Sequence, residues 1–365
     1  MLHLLRALGI GGAERRVLRL GSGLDPEHYE VHALSFYPVE GQALPWPEDR
    51  HRYFPVQPGF QWRRLRELAA YIREQRFDVV HSHNWATMFY GVLAGRLGGA
   101  PVVLHGEHGR NDIDREGISW KRDLLAAGLA RLATRVVAVN ESIAADIGQR
   151  WRLGGDHIVC LPNGVDLSRF GPPTVAREPD AEFVVGTVAR FDGIKNLPCL
   201  LRAFERLHSV EPGLKKRLVL VGHGPLWDEI RRQAESGPAA ACVQFVGETD
   251  RPQDWYRRFD VFANTSFSEG MSNSILEAMA CGVPVVASDI DGNRCWLHEG
   301  RNALFFRSDD DQGLAEHLRR LALDRELAGR IGRENAERVR AEYDNRSFLE
   351  RYGALYQRLL SAAGR

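Results

Sequence analysis

The sequence predicts an α/β protein of two doubly wound, Rossmann-like domains with parallel sheets. Short β-branched runs alternate with amphipathic helical stretches along the whole chain, as in parallel sheets covered by helices on both faces. That alternation breaks once, near the midpoint, and then restarts. At 365 residues the chain is too long for one ordinary core and long enough for two.

In the first half the strand candidates are 2–8, 29–36, 78–83, 102–106, 135–140 and 157–161. Helical periodicity fills the gaps, as in 62–74, where Leu65, Leu68, Ala69 and Ile72 form one stripe. Residues 167–182 have no periodicity and carry the adjacent prolines Pro172 and Pro173, so they read as a linker. Strands follow at 183–189, 217–221, 243–246, 260–264, 283–288 and 303–306, with a helical tract from about residue 312 onward. The expected domains are therefore 1–166 and 183–344.

Composition narrows the classes of function. The chain is 44% hydrophobic and 26% charged, as a globular protein is, and its 48 Lys plus Arg match its 48 Asp plus Glu. No net charge steers it to nucleic acid or to a membrane. Apolar runs such as 283–287 are too short to span a bilayer, and the first residues read as a strand rather than a signal peptide. Cys160, Cys199, Cys242, Cys281 and Cys295 are scattered without a paired spacing, which points to a reducing cytoplasm rather than to disulfides or structural zinc.

Doubly wound sheets bind ligands at the carboxyl ends of their strands. Gly11 and Gly12 follow the first strand and would let amides approach a phosphate, although their spacing is not that of a dinucleotide fingerprint. Arg190 and Lys195 leave the first strand of the second domain, where two cations suit a diphosphate. In SFSEGMSNSILEAMACGVPVVAS, Ser272 is an N-cap candidate, and Gly270, Met271, Ser272 and Asn273 would turn amides toward an anion. Glu269 lies just before that helix and Glu277 within it. Carboxylates would repel a phosphate, so the pair fits sugar hydroxyls on either side of one: hexose at one end, ribose at the other.

Together HGEHGR, LPNGVDLSRF, VARFDGIKN, VGHGPL and SEGMSNSILEAMACGVPVVAS resemble family 4 of the retaining glycosyltransferases, whose GT-B architecture implies two Rossmann-like domains with parallel sheets facing across a cleft. HGEHGR and EGMSNSILEAMACG are most similar to transferases of polysaccharide and exosortase-associated gene sets. The resemblance implies a metal-independent transfer of a hexosyl unit, with no cofactor beyond the nucleoside diphosphate sugar as co-substrate. A UDP-hexose donor is favoured, then GDP-mannose, and the acceptor is an alcohol on a glycan or lipid-linked glycan. It implies that Gly11 and Gly12 face the donor diphosphate, that Arg190 and Lys195 bind it, and that amides of Met271 to Ser274 help. Glu269 would contact the hexose, Glu277 the ribose, and His108 the reacting sugar, with His105 as runner-up. Asn163, Gly164 and Asp166 match the motif closing the first domain, and a helix at about 345–365 would cross back onto that domain. Domain closure would exclude water. Asp291-Gly292 stands where Gly-Gly is common, and Cys295 where an acidic residue often stands.

Other readings of the same residues are a nucleotide-sugar epimerase of this architecture, a catalytically silent sugar-nucleotide-binding protein, and a glycosidase using Glu269 and Glu277. Asp289-Ile290-Asp291 spells a metal motif of a different fold but reads here as a strand-end loop, and Asp309–Asp311 as a solvated helix start. His81 and His83 are expected on opposite faces of their strand, against a shared metal site. Residues 61–76, with Arg63, Arg64, Arg66 and Arg73 beside Trp62 and Leu65, offer a peripheral contact with the inner membrane face, or a solvated helix face.

Overall fold

The computed structural model describes residues 1–9, 11–39, 43–57, 59–109, 119–173 and 182–364, which form two compact units. The first unit holds β1 (Leu2–Leu5), α1 (Gly12–Gly23), β2 (His32–Ser35), β3 (His51–Tyr53), α2 (Trp62–Glu74) and β4 (Val79–His83). It continues with α3 (Trp85–Leu97), β5 (Val102–Glu107), α4 (Trp120–Leu132), β6 (Arg135–Ala138), α5 (Glu141–Trp151) and β7 (Ile158–Cys160). Its sheet is parallel, in the order β3-β2-β1-β4-β5-β6-β7. β1, β4 and β5 are almost wholly buried, as the central strands of a parallel sheet covered on both faces are.

The second unit holds β8 (Phe183–Val188), α6 (Leu197–Val210), β9 (Lys216–Val221), α7 (Trp227–Ser236), β10 (Val243–Gly247), α8 (Pro252–Tyr256) and β11 (Val261–Asn264). There follow α9 (Asn273–Ala280), β12 (Val285–Ser288), α10 (Asp291–Arg294), β13 (Leu304–Phe306), α11 (Asp311–Leu323) and α12 (Arg325–Glu342). Its parallel sheet runs β10-β9-β8-β11-β12-β13. In both sheets the order reverses beside the first strand of the unit, between β1 and β4 and between β8 and β11. Chain leaving those strands in opposite directions opens a crevice at their carboxyl ends, the place where such sheets take ligands.

β3 has no counterpart among the expected strands. It is an edge strand of three residues with two of them exposed, so neither apolar alternation nor a buried run announces it. Of the expected linker, residues 174–181 lie outside the described residues. The part before them packs on the second unit: Phe170 is buried, its ring 5.9 Å from that of Tyr256, and Arg257 donates to the carbonyls of Arg169 and Gly171.

The last helix, α13 (Asn345–Ala362), belongs to the first unit, where Phe348, Tyr352, Leu355, Tyr356 and Leu359 pack with Leu20 of α1 and with Leu24 just after it. Arg16 of α1 ties this arrangement together. It is 1% exposed, and its guanidinium donates to Asn163 Oδ1, to the Leu161 carbonyl at 3.3 Å and to the Tyr352 hydroxyl at 2.7 Å. No carboxylate joins it among these partners, so neutral acceptors and the rings of Phe348 and Tyr352 replace its water shell. Tyr352→Phe removes one acceptor and should cost about 1–3 kcal/mol in urea unfolding, and Arg16→Met, which strands three partners, should cost more. Unchanged stability in both variants would show that α13 is held by apolar packing alone.

Candidate functional site

At the carboxyl end of β8 the chain turns through Arg190 into a single tight turn, Gly193–Lys195. Asp192 caps it, accepting from the Lys195 amide at 3.2 Å, and this aims the Lys195 side chain at the loop after β11. There Lys195 Nζ lies 2.7 Å from Glu269 Oε1. Asn264 Nδ2, at 3.1 Å, and Ser266 Oγ, at 2.7 Å, donate to the same oxygen. Oε2 accepts from none of these donors.

Glu269 exposes 10% of its side chain. Burial pushes its carboxyl up, but the Lys195 charge and the donors Lys195, Ser266 and Asn264 outweigh it and hold the group below the usual carboxylate range. Glu269 therefore stays ionised with one oxygen anchored.

Glu269 is followed by Gly270, Met271 and Ser272, all buried, and then by α9. The Ser272 hydroxyl caps α9, accepting from the Ile275 amide at 3.4 Å, and bonds Ser274 Oγ at 3.0 Å. Glu277, inside α9, is 2% exposed and accepts from the Tyr256 hydroxyl at 3.0 Å. Arg190 shares the Lys195 loop but is exposed, its nearest carboxylate Asp192 at 3.8 Å.

Sequence reasoning treated Lys195 and Glu269 as ligands of separate groups, whereas the structure bonds them to each other. It also missed Asn264, Ser266, Tyr256 and Asn293. Asn293 donates to the Ser288 carbonyl at 2.9 Å and to Asn264 Oδ1 at 3.4 Å, which ties the end of β12 to that of β11. Gly292 was noted as half of a departing pair, but it is indispensable: a Cβ there would lie 2.0 Å from the Glu269 carbonyl oxygen. The adjacency of β8, β11 and β12 is the signal that finds these residues, and adjacency is a property of topology.

In the first unit Gly11 caps α1 and Gly12 begins it, as a phosphate-facing turn requires. Glu14 reaches back over that turn, so that a Cβ on Gly11 would lie 2.1 Å from its Oε2. Burial pushes the Glu14 carboxyl up. A titratable acid thus stands where the sequence suggested an open anion site.

The expectation for His81 and His83 fails. Positions two apart in a strand share a face, and their ring centroids are 4.3 Å apart. His3 sits opposite His81 in β1, and the ligand-capable atoms of His3, His81 and His83 lie within 4.8 Å of one another. Burial drives all three pKa values down, His3 to about 3. The positive charge of Arg16 acts on His81 and His83 in the same sense, and it opposes a dication as much as a proton. His108 is half-buried, with its amide on Asn84 Oδ1 at 3.0 Å. His105 is fully buried, bonded to Ser82 Oγ at 3.0 Å and 3.4 Å from Glu107.

Elsewhere, Asp289 is paired with Arg294, Asp310 caps α11 and Asp309 pairs with Arg202 at 2.7 Å. On α2, Leu65 lies in the core and out of reach of any surface, while Arg64 and Arg73 donate to the carbonyls of Pro55 and Leu97. Trp62 remains half exposed.

Residues 10–169 match the profile of Glycosyltransferase Family 4, and residues 182–324 that of Glycosyl transferases group 1. The chain is 30% identical over 309 residues to the putative glycosyltransferase EpsF of Bacillus subtilis, covering 79% of each chain. It is 26% identical over 277 residues to the UDP-Gal:alpha-D-GlcNAc-diphosphoundecaprenol alpha-1,3-galactosyltransferase of Escherichia coli, covering 72% of this chain and 71% of that one. Its fold is that of Anabaena Alr3699/HepE, solved with UDP and glucose: TM-score 0.82 at 19% identity, over 98% of both chains.

Removing the Lys195 ammonium leaves burial as the larger influence on Glu269. A carboxyl held below its unfolded value adds stability that is full above that value and lost as pH falls through the folded one. The Tm difference between wild type and Lys195→Met should therefore be largest at neutral pH and shrink on acidification through the carboxylate range. A difference independent of pH would show that Lys195 does not hold the Glu269 charge.

Proposed function

The chain belongs to glycosyltransferase family 4, and we propose that it moves a hexosyl unit from a UDP-hexose to an alcohol on a glycan or lipid-linked glycan, with retention at the anomeric carbon. The observation that carries this reading is Glu269. It is a largely enclosed, ionised carboxylate with Oε1 anchored and Oε2 clear of those donors, directly ahead of the capped start of α9. Such an oxygen suits a sugar hydroxyl, and the helix start suits the neighbouring phosphate. UDP is favoured over GDP because the Escherichia coli relative is a UDP-Gal transferase and the Anabaena protein was solved with UDP and glucose.

In this reading Glu277 takes the ribose, and Gly11, Gly12 and His108 act on the diphosphate and the transferred sugar. Arg190, Lys195 and the amides of Gly270 to Ser274 offset the charge of the leaving diphosphate in place of a metal ion. The bond from C1 to the diphosphate oxygen breaks, and the acceptor oxygen bonds C1 on the same face. The acceptor's proton passes to the departing phosphate oxygen, so no enzymic nucleophile is required. A lipid-linked acceptor accords with the diphosphoundecaprenol in the relative's name and with the exposed Trp120, Leu124 and Leu125 of α4.

Thermal shift against a panel of nucleotide sugars should single out a UDP-hexose, and proton NMR of the product should show the donor's anomeric configuration kept. Turnover should survive a strong chelator. Arg190→Ala should lower kcat/KM by about 10- to 100-fold, the worth of a charge-assisted contact. Inversion at C1, or activity abolished by chelation and restored by manganese, would refute the mechanism.

A further inference from the structure

From His108 a line of hydrogen-bonded imidazoles runs into the interior of the first unit. His108 Nε2 lies 2.8 Å from His83 Nδ1, and His83 Nε2 lies 2.9 Å from His3 Nδ1. The chain has two distinct ends. Among the described residues His3 Nε2 is buried with no hydrogen-bond partner, whereas His108 Nδ1 is not one of the buried nitrogens left unpartnered. The meeting of His83 and His108 is built over a glycine: a Cβ on Gly106 would lie 2.9 Å from His108 Nε2 and 3.0 Å from His83 Nδ1. Burial and the surrounding positive charges keep His3, His83 and His108 neutral.

A neutral imidazole carries one N–H and one bare nitrogen. Each ring-to-ring bond needs one of each, so the protons of the whole line move together and only two arrangements exist. In one, His108 Nε2–H donates to His83, His83 Nε2–H donates to His3, and an N–H on His3 Nε2 is left buried and unbonded. In the other, His3 Nδ1–H donates to His83, His83 Nδ1–H donates to His108, and the His108 proton sits on Nδ1. The second leaves a bare nitrogen at the buried end rather than an orphaned N–H, the rarer of the two defects in folded proteins.

We propose that His83 and His3 are positioning residues that fix the proton of His108 on Nδ1, so that His108 presents a donor toward the transferred sugar. The inference rests on the placement of His108 beside that sugar. His3 and His83 touch no substrate themselves; they act by denying His108 its other tautomer.

Nitrogen-15 NMR of the side-chain imidazoles reads the tautomers directly, without any substrate. Wild-type His108 should be protonated on Nδ1. His3→Asp replaces the inner donor by an acceptor, which reverses the line and should return His108 to the Nε2–H form common in free imidazole, while His3→Asn, whose side-chain amide can stand in for Nδ1–H, should keep it on Nδ1. Sugar transfer should follow the same order: kcat reduced in His3→Asp and kept in His3→Asn, with affinity for free UDP unchanged. A wild-type His108 protonated on Nε2 overturns the proposal before any variant is made. So does a His108 spectrum unaltered in His3→Asp, or zinc found at one ion per chain by elemental analysis. The expected spectra in a protein that transfers no hexose from any UDP-sugar would uphold the histidine line and refute the functional reading instead.

Discussion

A carboxylate taken out of water must be given donors or surrender its charge, and meeting that need for Glu269 organises the loops at the carboxyl end of the second sheet. Lys195 comes from the loop after β8, and Asn264 and Ser266 from the end of β11. Thr265 Oγ1 donates to the Lys195 carbonyl at 2.7 Å, and the Phe267 amide to Ile194 at 2.8 Å. Ser288 at the end of β12 donates to the Ser266 carbonyl, and Asn293 closes back onto Ser288 and Asn264. Loops from two strand ends thus bond one carboxylate and a third strand end braces them, so the carboxylate is oriented before a ligand arrives.

The first unit solves the opposite problem, a buried cation, by different means. Arg16 is surrounded by neutral acceptors and aromatic faces rather than by an acid. Its charge is left uncancelled, and it reaches His81, His83 and His108, where it adds to burial in keeping the imidazoles neutral. One arginine so serves both the docking of α13 and the state of the histidines beside the switch point of the first sheet.

The fold was legible because buried parallel strands and amphipathic helices write different periods into the sequence. The α2 stripe of Leu65, Leu68, Ala69 and Ile72 is buried residue for residue as expected. β3 was not legible, since an exposed three-residue edge strand carries no such period. At the site, the carboxylates, the cations and the Ser272 cap could be named from the sequence, but their mutual bonds could not. Lys195 and Glu269 are 74 positions apart, and Arg16 and Tyr352 are 336 apart. Only the strand order brings such pairs together. His81 and His83 are a different case: the sequence held the answer, because alternate residues of a strand share a face.

The central claim is that Glu269 and Glu277 serve opposite ends of one nucleotide sugar. Calorimetric binding of free UDP to Glu269→Gln and Glu277→Gln, beside the steady-state kinetics of both, tests it most directly. Free UDP has a ribose and no hexose. Glu277→Gln should therefore lose affinity for it, while Glu269→Gln should bind it almost as the wild type does and lose turnover. Loss of UDP binding in Glu269→Gln with binding kept in Glu277→Gln would reverse the donor's orientation, and wild-type behaviour in both would remove the paired glutamates from the site.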